Sequence, residues 1–289
     1  MDKEKRAVLA EINDFKGVYV QEMRSALDSN LIIDKVGLKM QKGKRGDLVY
    51  AVIGGAEASF ENEAVELTPS LINIDATKKS DPQLIWARIR LSNRAQALSG
   101  YDLYVEGAKE LGRSLSQLLN KWLVSPKEVT QGGAVGPFVK DPVIDANQII
   151  KFVGAVPTFE EIVSLETKVV NANIYDPSKG MYLVSPSTAG ILKLTPIKDG
   201  DRMILENNQI NGYPVGITNA VPEGVVEFGI FSYVIINEFD EVNITFDPFL
   251  ESKANVVNAT QAGEYDLVTL NKEAFTIGLN PTAYTEVYQ

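Results

Sequence analysis

One segment of the chain carries a single narrow stripe of apolar residues over an unusual length. Apolar side chains recur there at alternating intervals of four and three residues, at Tyr104, Ala108, Leu111, Leu115, Leu118 and Trp122. This spacing predicts an α-helix over residues 101–122, which would be about 33 Å long at 1.5 Å per residue. Pro126 prevents much continuation. Because only one face is apolar, we expect this helix to lie across a sheet rather than inside a helix bundle.

Shorter apolar stretches predict the strands of that sheet. They lie at residues 48–53, 60–67, 84–91, 181–184, 212–217, 228–236, 242–246, 265–270 and 274–279. We expect 228–236 to be one buried strand. We also expect the last two strands to form a closing hairpin across Asn271, Lys272 and Glu273.

Three more helices are predicted, which makes the chain an α+β protein. Residues 1–29 form an amphipathic pattern that must dock to be stable, with apolar residues at Val8, Ile12, Phe15, Tyr19, Met23 and Leu27. Thr158 and Glu161 have the spacing of a capping box and open a second helix. Ser185 and Pro186 begin a third, short helix.

The residues around the first two strands predict a projecting β-ribbon. The approach to residues 48–53 is basic, and residues 60–67 are strongly acidic. A ribbon with opposite charges at its two ends suits ion pairing between subunits better than nucleic-acid binding. We expect intersubunit contacts at Lys42, Lys44, Arg45, Glu61, Glu63 and Glu66, with Lys39 in the same basic cluster.

The composition excludes much chemistry. The 289 residues contain no cysteine and no histidine, which rules out thiol nucleophiles, Fe–S clusters, His-ligated metals and Ser-His-Asp triads. Acidic residues outnumber basic ones by 38 to 28 and give a net charge of −10, which argues against a nucleic-acid reader. The most apolar stretch, 224–236, is interrupted by Glu227 and is too short to span a membrane. No secretory signal follows the first residues, which fits a cytosolic setting.

No residue pattern specifies an active site. The glycines at 132–136 do not make a dinucleotide fingerprint, and no phosphate-binding loop occurs. Asp199 and Asp201 lack the other ligands of a Ca²⁺ loop. Glu160 and Glu161 are explained by the start of a helix. We therefore expect no catalytic residue, no cofactor and no metal, and hence no enzyme.

Four stretches in this order carry a resemblance to a known family. The first is the ribbon 48–67 with strand 84–91, and the second is the long helix 101–122. The third is 159–194, a helix followed by the phrase from Met181 to Leu192 (MYLVSPSTAGIL). The fourth is KDGDR at 198–202 with INGYPV at 210–215, followed by FGIF at 228–231 and Ala274-Phe275. Together they resemble the major capsid proteins of tailed bacteriophages, with the Hong Kong 97-type fold. The ribbon is similar to the family's extended loop, the long helix to its spine helix, and the MYLVSPS phrase to the opening of its axial domain.

The resemblance implies a domain organisation and a function. The expected parts are an N-terminal helix or arm at 1–35, an extended β-hairpin loop at 36–69, a peripheral domain at 70–136 plus 247–289, and an axial domain at 137–246. The implied function is a structural subunit whose hexamers and pentamers close a shell around a phage or prophage double-stranded DNA genome. The implied partners are a separate scaffolding protein, a portal and decoration proteins, with DNA contacted only non-specifically and no membrane. The implied location is the virion capsid, assembled in the cytoplasm of a host bacterium.

Two departures from the family and three alternatives stay open. Only about 30 helical residues precede the ribbon, so scaffolding is either a separate protein or partly the work of this helix. The Lys, Asn and Glu of the family's covalent crosslink cannot be aligned, so we assign no crosslink. The alternatives are an encapsulin nanocompartment shell with the same fold, a carboxylate-metal-dependent hydrolase, and an unrelated α+β protein with a dimerising arm.

Overall fold

The structure, a computed structural model, describes residues 3–33, 35–53, 74–99, 102–129, 135–140, 143–172, 174, 177–198, 202–239, 243–247, 249, 251 and 254–288. Within these ranges the chain forms six α-helices and twelve β-strands. The helices are α1 Lys3–Asn30, α2 Asn93–Leu98, α3 Leu103–Val124, α4 Phe159–Asn171, α5 Pro186–Leu194 and α6 Pro281–Tyr288. The strands are β1 Val49–Ile53, β2 Ile74–Lys79, β3 Gln83–Ser92, β4 Ile149–Lys151, β5 Met181–Val184, β6 Gln209–Ile210, β7 Tyr213–Ile217, β8 Val225–Gly229, β9 Val234–Glu238, β10 Asn243–Asp247, β11 Val256–Thr269 and β12 Phe275–Leu279.

The long helix lies on a sheet, as predicted. β11 is the centre of a four-stranded antiparallel sheet, with β3 on one side and β9 and β10 end to end on the other. α3 packs on β3 and β11, and its buried stripe includes Leu111, Leu115 and Trp122. The predicted stripe differs at one position: Leu118 is 38% exposed, and its neighbour Leu119 is buried instead.

The predicted N-terminal helix is present as α1, and its second half packs closely against α3. Met23 and Leu27 are buried there. Asn120 of α3 holds the end of α1, since its side chain accepts a hydrogen bond from the Ile32 amide and donates one to the Asn30 carbonyl, each at 2.8 Å. This half of α1 is therefore part of the subunit's own core.

A second, six-stranded sheet has the strand order β4-β12-β8-β5-β7-β6. α4 packs on β12 and β8 of this sheet. The predicted capping box is present: the Thr158 hydroxyl accepts from the Glu161 amide, and the Glu161 carboxylate accepts from the Thr158 amide. β6 and β7 are joined by Asn211 and Gly212, both with positive φ, as a two-residue type I′ turn requires.

Two strand predictions are wrong because each assigns to one sheet residues that belong to two sheets. Residues 228–236 are not one strand but parts of β8 and β9, which lie in different sheets and are separated by a 3₁₀ turn at Phe231–Tyr233. The last two strands do not form a hairpin either, because β11 belongs to the four-stranded sheet and β12 to the six-stranded sheet.

The connection from β8 to β9 and the connection from β11 to β12 pass between the two sheets side by side. β8 pairs with β12 on one side of the crossing, and β9 pairs with β11 on the other, both antiparallel. Between them the backbone stays bonded, from the Ile230 amide to the Ala274 carbonyl at 3.0 Å and from the Leu270 amide to the Tyr233 carbonyl at 2.8 Å. The crossing is thus one interrupted antiparallel ladder that spans both sheets.

Sheet membership divides the chain at places other than the predicted domain boundaries. β9 and β10, placed with residues 137–246, belong to the sheet under α3, whereas β12, placed with 247–289, belongs to the six-stranded sheet. The domain assignment itself stays a prediction. The glycine-rich stretch 130–134 lies outside the described residues.

Candidate assembly surfaces

The first candidate surface is the two-stranded ribbon, whose described part is β1 paired antiparallel with β2. The predicted return strand, 60–67, lies outside the described residues, and the strand that pairs with β1 is Ile74–Lys79, which we did not predict. The ribbon closes at its base through a 2.8 Å hydrogen bond from the Ser80 amide to the Leu48 carbonyl. Both of its ends therefore leave the subunit at one point.

A small polar network holds the base of the ribbon on the four-stranded sheet. The Tyr50 hydroxyl donates to Asn237 Oδ1 at 3.1 Å, and Asn237 Nδ2 donates to Asp266 Oδ2 at 3.3 Å. The second carboxylate oxygen of Asp266 accepts from the Asp81 amide at 3.3 Å. Since Asn237 and Asp266 are fully buried, these bonds fix where the ribbon leaves the subunit.

The predicted basic contact residues lie beside this base. Residues 41–44 run along the outer edge of β9, where the Gln41 and Lys44 amides donate to the carbonyls of Ile236 and Glu238. Lys42 Nζ is 3.9 Å from Asp28 Oδ2, with both side chains about half exposed, and Arg45 is exposed. Their predicted acidic partners Glu61, Glu63 and Glu66 lie outside the described residues, so the pairing stays a prediction.

The second candidate surface is the outward face of β3. Ile89 and Leu91 point toward α3, where a β-carbon at Gly107 would meet both. Alternate residues point the other way, and Leu84 and Trp86 are 64% and 63% exposed. β3 pairs with β11 alone among the described strands, so it also offers one unpaired edge.

A groove follows this edge of β3. It has a volume of about 260 Å³ and lies between Leu84 and Trp86 of the strand and Leu118 and Trp122 of α3. Two arginines, Arg88 and Arg90, continue the outward face; Arg88 bonds the Thr260 hydroxyl and Arg90 pairs with Glu251. This surface combines aromatic, aliphatic and guanidinium groups, which protein–protein interfaces favour.

The third candidate surface lies where α4 begins and α5 ends. A groove of about 650 Å³ is lined by Val156, Phe159, Pro196 and Ile197 among others. Next to it Val153 is 91% exposed, and Leu194 of α5 is also largely exposed. Large apolar side chains this exposed on one side of a molecule are typical of a contact surface.

A buried carboxylate fixes the inner side of α4. Glu166 accepts hydrogen bonds from the Tyr182 hydroxyl at 2.5 Å and from Asn211 Nδ2 at 2.7 Å. Burial raises the pKa of Glu166, and the two donors counteract part of this rise. The same burial and the nearby Glu166 raise the pKa of Tyr182. The group ties α4 to β5 and to the Asn211 turn, which is a structural role.

The described residues contain no grouping of three or more acidic side chains that could hold a metal ion. Across the same residues, no helix has the length and apolar character needed to cross a bilayer.

The sequence contained a signal for the second surface that we did not use. Leu84 and Trp86 alternate with the buried side of β3 and share their face with Arg88 and Arg90. Large apolar residues on the polar face of a strand indicate a covered surface. The third surface had no such signal, because its groove is lined by residues 156–160 and 195–198, which only the tertiary fold brings together.

Comparison with known proteins finds similarity in structure only. No family model matches the sequence, and no curated protein matches it. Solved structures match over most of the chain. The capsid of an empty GTA particle has a TM-score of 0.66 at 16% identity, covering 87% of this chain and 89% of that one. A structure from Mycobacterium phage Adephagia has a TM-score of 0.67 at 13% identity, covering 88% and 89%.

A virus-like particle from Pyrococcus furiosus is also similar, with a TM-score of 0.61 at 12% identity, covering 91% of this chain and 98% of that one. The fold shared with these structures is a mixed α+β shell fold. It is the Hong Kong 97-type capsid fold, and the predicted fold class is confirmed.

Proposed function

We propose that this chain is a major capsid protein, a structural subunit that self-assembles into an icosahedral-type shell around a phage or prophage double-stranded DNA genome. The observation that carries the proposal is the fold, which aligns over 87% of the chain with the capsid of a GTA particle. The role is structural and non-enzymatic.

The surfaces support the proposal on physical grounds. A shell subunit needs several modest contacts that symmetry repeats, rather than one tight site. This chain offers a ribbon, an aromatic strand face with an open edge, and an apolar groove at the far sheet. Exposed apolar side chains such as Trp86 and Val153 are costly on a lone soluble molecule and are buried in an assembly.

The proposal extends to how copies of the chain assemble and to the proteins that take part. Copies would form hexamers and pentamers, helped by a separate scaffolding protein and joined by a portal and decoration proteins, in the cytoplasm of a host bacterium. Packaged DNA would be contacted only non-specifically, since a net charge of −10 repels phosphates. The domain boundaries 1–35, 36–69, 70–136 with 247–289, and 137–246 belong to the same proposal.

The ribbon would supply ionic contacts between copies. Lys42, Lys44 and Arg45 would meet the acidic residues Glu61, Glu63 and Glu66 of a neighbour. The described contacts support this on the basic side, because Arg45 is exposed and the single ion pair of Lys42 is long and solvated. Such pairs fix register and partner choice more than they add affinity.

An encapsulin-type shell is the second candidate. The observation that favours it is that this chain covers 98% of the chain of the Pyrococcus furiosus virus-like particle. The two candidates differ in what the shell contains. Nuclease-resistant DNA in particles from the native source supports the capsid, and a packaged enzyme supports the encapsulin.

Negative-stain imaging and sedimentation of the purified chain test self-assembly. The wild-type chain should give closed particles. A variant in which residues 49–79 are replaced by two glycines should fold and sediment as a subunit without closing shells, because Leu48 and Ser80 are already joined by a hydrogen bond. Full-length Lys79→Gln is the matched control, since it loses only an exposed ion pair with Asp47 at the ribbon base and should still assemble. Normal particles from the ribbonless variant would refute the role of the ribbon. A wild-type chain that stays monomeric both alone and in particles sought from its native source would refute the shell.

A further inference from the structure

The six-stranded sheet contains a carboxyl group at its centre. Glu227 lies on β8, between β12 and β5, where it is paired with Ile277 on one side and Leu183 on the other. Its side chain is fully buried. A strand buried on both faces normally carries apolar residues throughout, and every other side chain of β8 is apolar.

Neither oxygen of Glu227 has a hydrogen-bond partner within the described chain. The contrast with Glu166 is direct, because Glu166 accepts bonds from Tyr182 and Asn211. The fold can therefore supply donors to a buried carboxylate, and it supplies none at Glu227. An isolated carboxylate without donors or a cation is the costliest group that a protein interior can hold.

Among the residues that the structure describes, no neighbouring charge compensates Glu227. Tyr182 is one residue before Leu183 on β5 and so points to the opposite face of the sheet, where it meets Glu166 of α4. α4 lies on that opposite face too, where Thr276 bonds the Leu165 carbonyl, so its charged residues do not face Glu227. The neighbouring strands β5 and β12 carry no charged residue, and on the face of Glu227 the ring of Phe275 meets Phe138 and Phe231. Burial alone raises the pKa of Glu227 well above its ordinary value.

We propose that Glu227 is a proton-controlled switch in the six-stranded sheet: the sheet closes around the neutral acid, and loss of the proton drives β8 to open toward water. The proposal concerns the subunit itself and does not depend on the shell function. It predicts a sign for the effect of pH. A carboxyl group whose pKa is raised by folding binds its proton more tightly in the folded state, so folding is favoured at low pH and weakened as pH rises above the pKa of the unfolded chain.

The test compares the melting temperature of the full-length wild-type chain with that of Glu227→Gln between pH 5 and pH 8. Glutamine keeps the shape and cannot ionise, so the two chains should melt alike at pH 5. At pH 8 the folded-to-unfolded ratio of the wild type should be at least tenfold lower, which corresponds to roughly 3–5 °C. Glu273→Gln, at an exposed position just before β12, is the matched control for removal of a carboxyl group as such.

Two results would overturn the proposal. One is a difference between wild type and Glu227→Gln that stays constant across this pH range. The other comes from infrared spectroscopy in heavy water, which detects the carbonyl band of a protonated carboxylic acid. That band should be present in the wild type at neutral pH and absent from Glu227→Gln, and its absence from the wild type would show that Glu227 is ionised in the closed sheet.

Discussion

Replacing Gly112 with alanine tests how closely the N-terminal helix is built into the subunit. Gly112 lies inside α3, facing α1. A β-carbon placed there would overlap the carbonyl oxygen of Met23 and would stand 3.1 Å from the Leu27 amide nitrogen. Both obstacles are backbone atoms, so no side-chain rotation relieves the overlap and the two helices must separate.

The magnitude follows from three terms. Alanine in a helix interior is favoured over glycine by about 1 kcal/mol. Overpacking costs about 1–3 kcal/mol, and partial exposure of Met23 and Leu27 as α1 moves away adds about 1–2 kcal/mol, a fraction of the value for full burial. We therefore expect Gly112→Ala to lower the free energy of unfolding by about 1–4 kcal/mol; the middle of this range corresponds to roughly 5–10 °C in melting temperature.

Two glycines elsewhere are controls for helix propensity. Gly190 of α5 and Gly17 of α1 are exposed, and an added β-carbon meets nothing within 4 Å at either. Alanine at these positions should stabilise the subunit by up to about 1 kcal/mol. Urea unfolding of the unassembled subunit measures all three variants. If Gly112→Ala is stabilised like the controls, the close packing of α1 on α3 is refuted.

Two further substitutions test the core and the α4 network. Leu115→Asp should unfold the subunit at ambient temperature, because it places a charge under α3. Its control, Leu118→Asp, changes a partly exposed position and should cost less than about 1 kcal/mol. Circular dichroism compares the two variants, and similar losses of stability would contradict the described stripe. Asn211→Asp places a second carboxyl group 2.7 Å from that of Glu166, so one of them must keep a proton and the pair's pKa rises. The loss of stability should then grow with pH, to about 2–3 kcal/mol at pH 8, and equal losses in melts at pH 5 and pH 8 would contradict this.

The elements that could be predicted are those whose signal is local. The apolar stripe of α3 and the capping box of Thr158 and Glu161 each depend on residues within a few positions of one another. The alternation of β3 likewise located a strand that the structure extends by only one residue at each end. Local geometry fixes such elements, and tertiary packing does not change them.

The errors arose where the sequence does not record which sheet a strand joins. Residues 228–236 are apolar except for Ser232, and a single serine is too weak a signal to predict the break at Phe231–Tyr233. The same holds at the end of the chain, where three polar residues suggested a hairpin and instead mark the passage from one sheet to the other. Strand β2 was not predicted because Ile74–Lys79 ends in polar residues. Its pairing with β1 also joins segments that are separated in the sequence by residues 54–73.

The paired crossing between the sheets has a mechanical consequence. β8 continues into β9, and β11 into β12, at the same place between the two sheets. A force that pulls the sheets apart therefore acts along these strands and not across them. Pulling β8 and β12 out of the six-stranded sheet would shear the hydrogen bonds of β8 to β5 and of β12 to β4 together, instead of breaking them one after another as in peeling. We expect single-molecule stretching between the sheets to require a higher force than stretching the β1–β2 ribbon from its tip. A subunit joined in this way transmits stress along its length, so in the proposed shell deformation would concentrate at the contacts between copies.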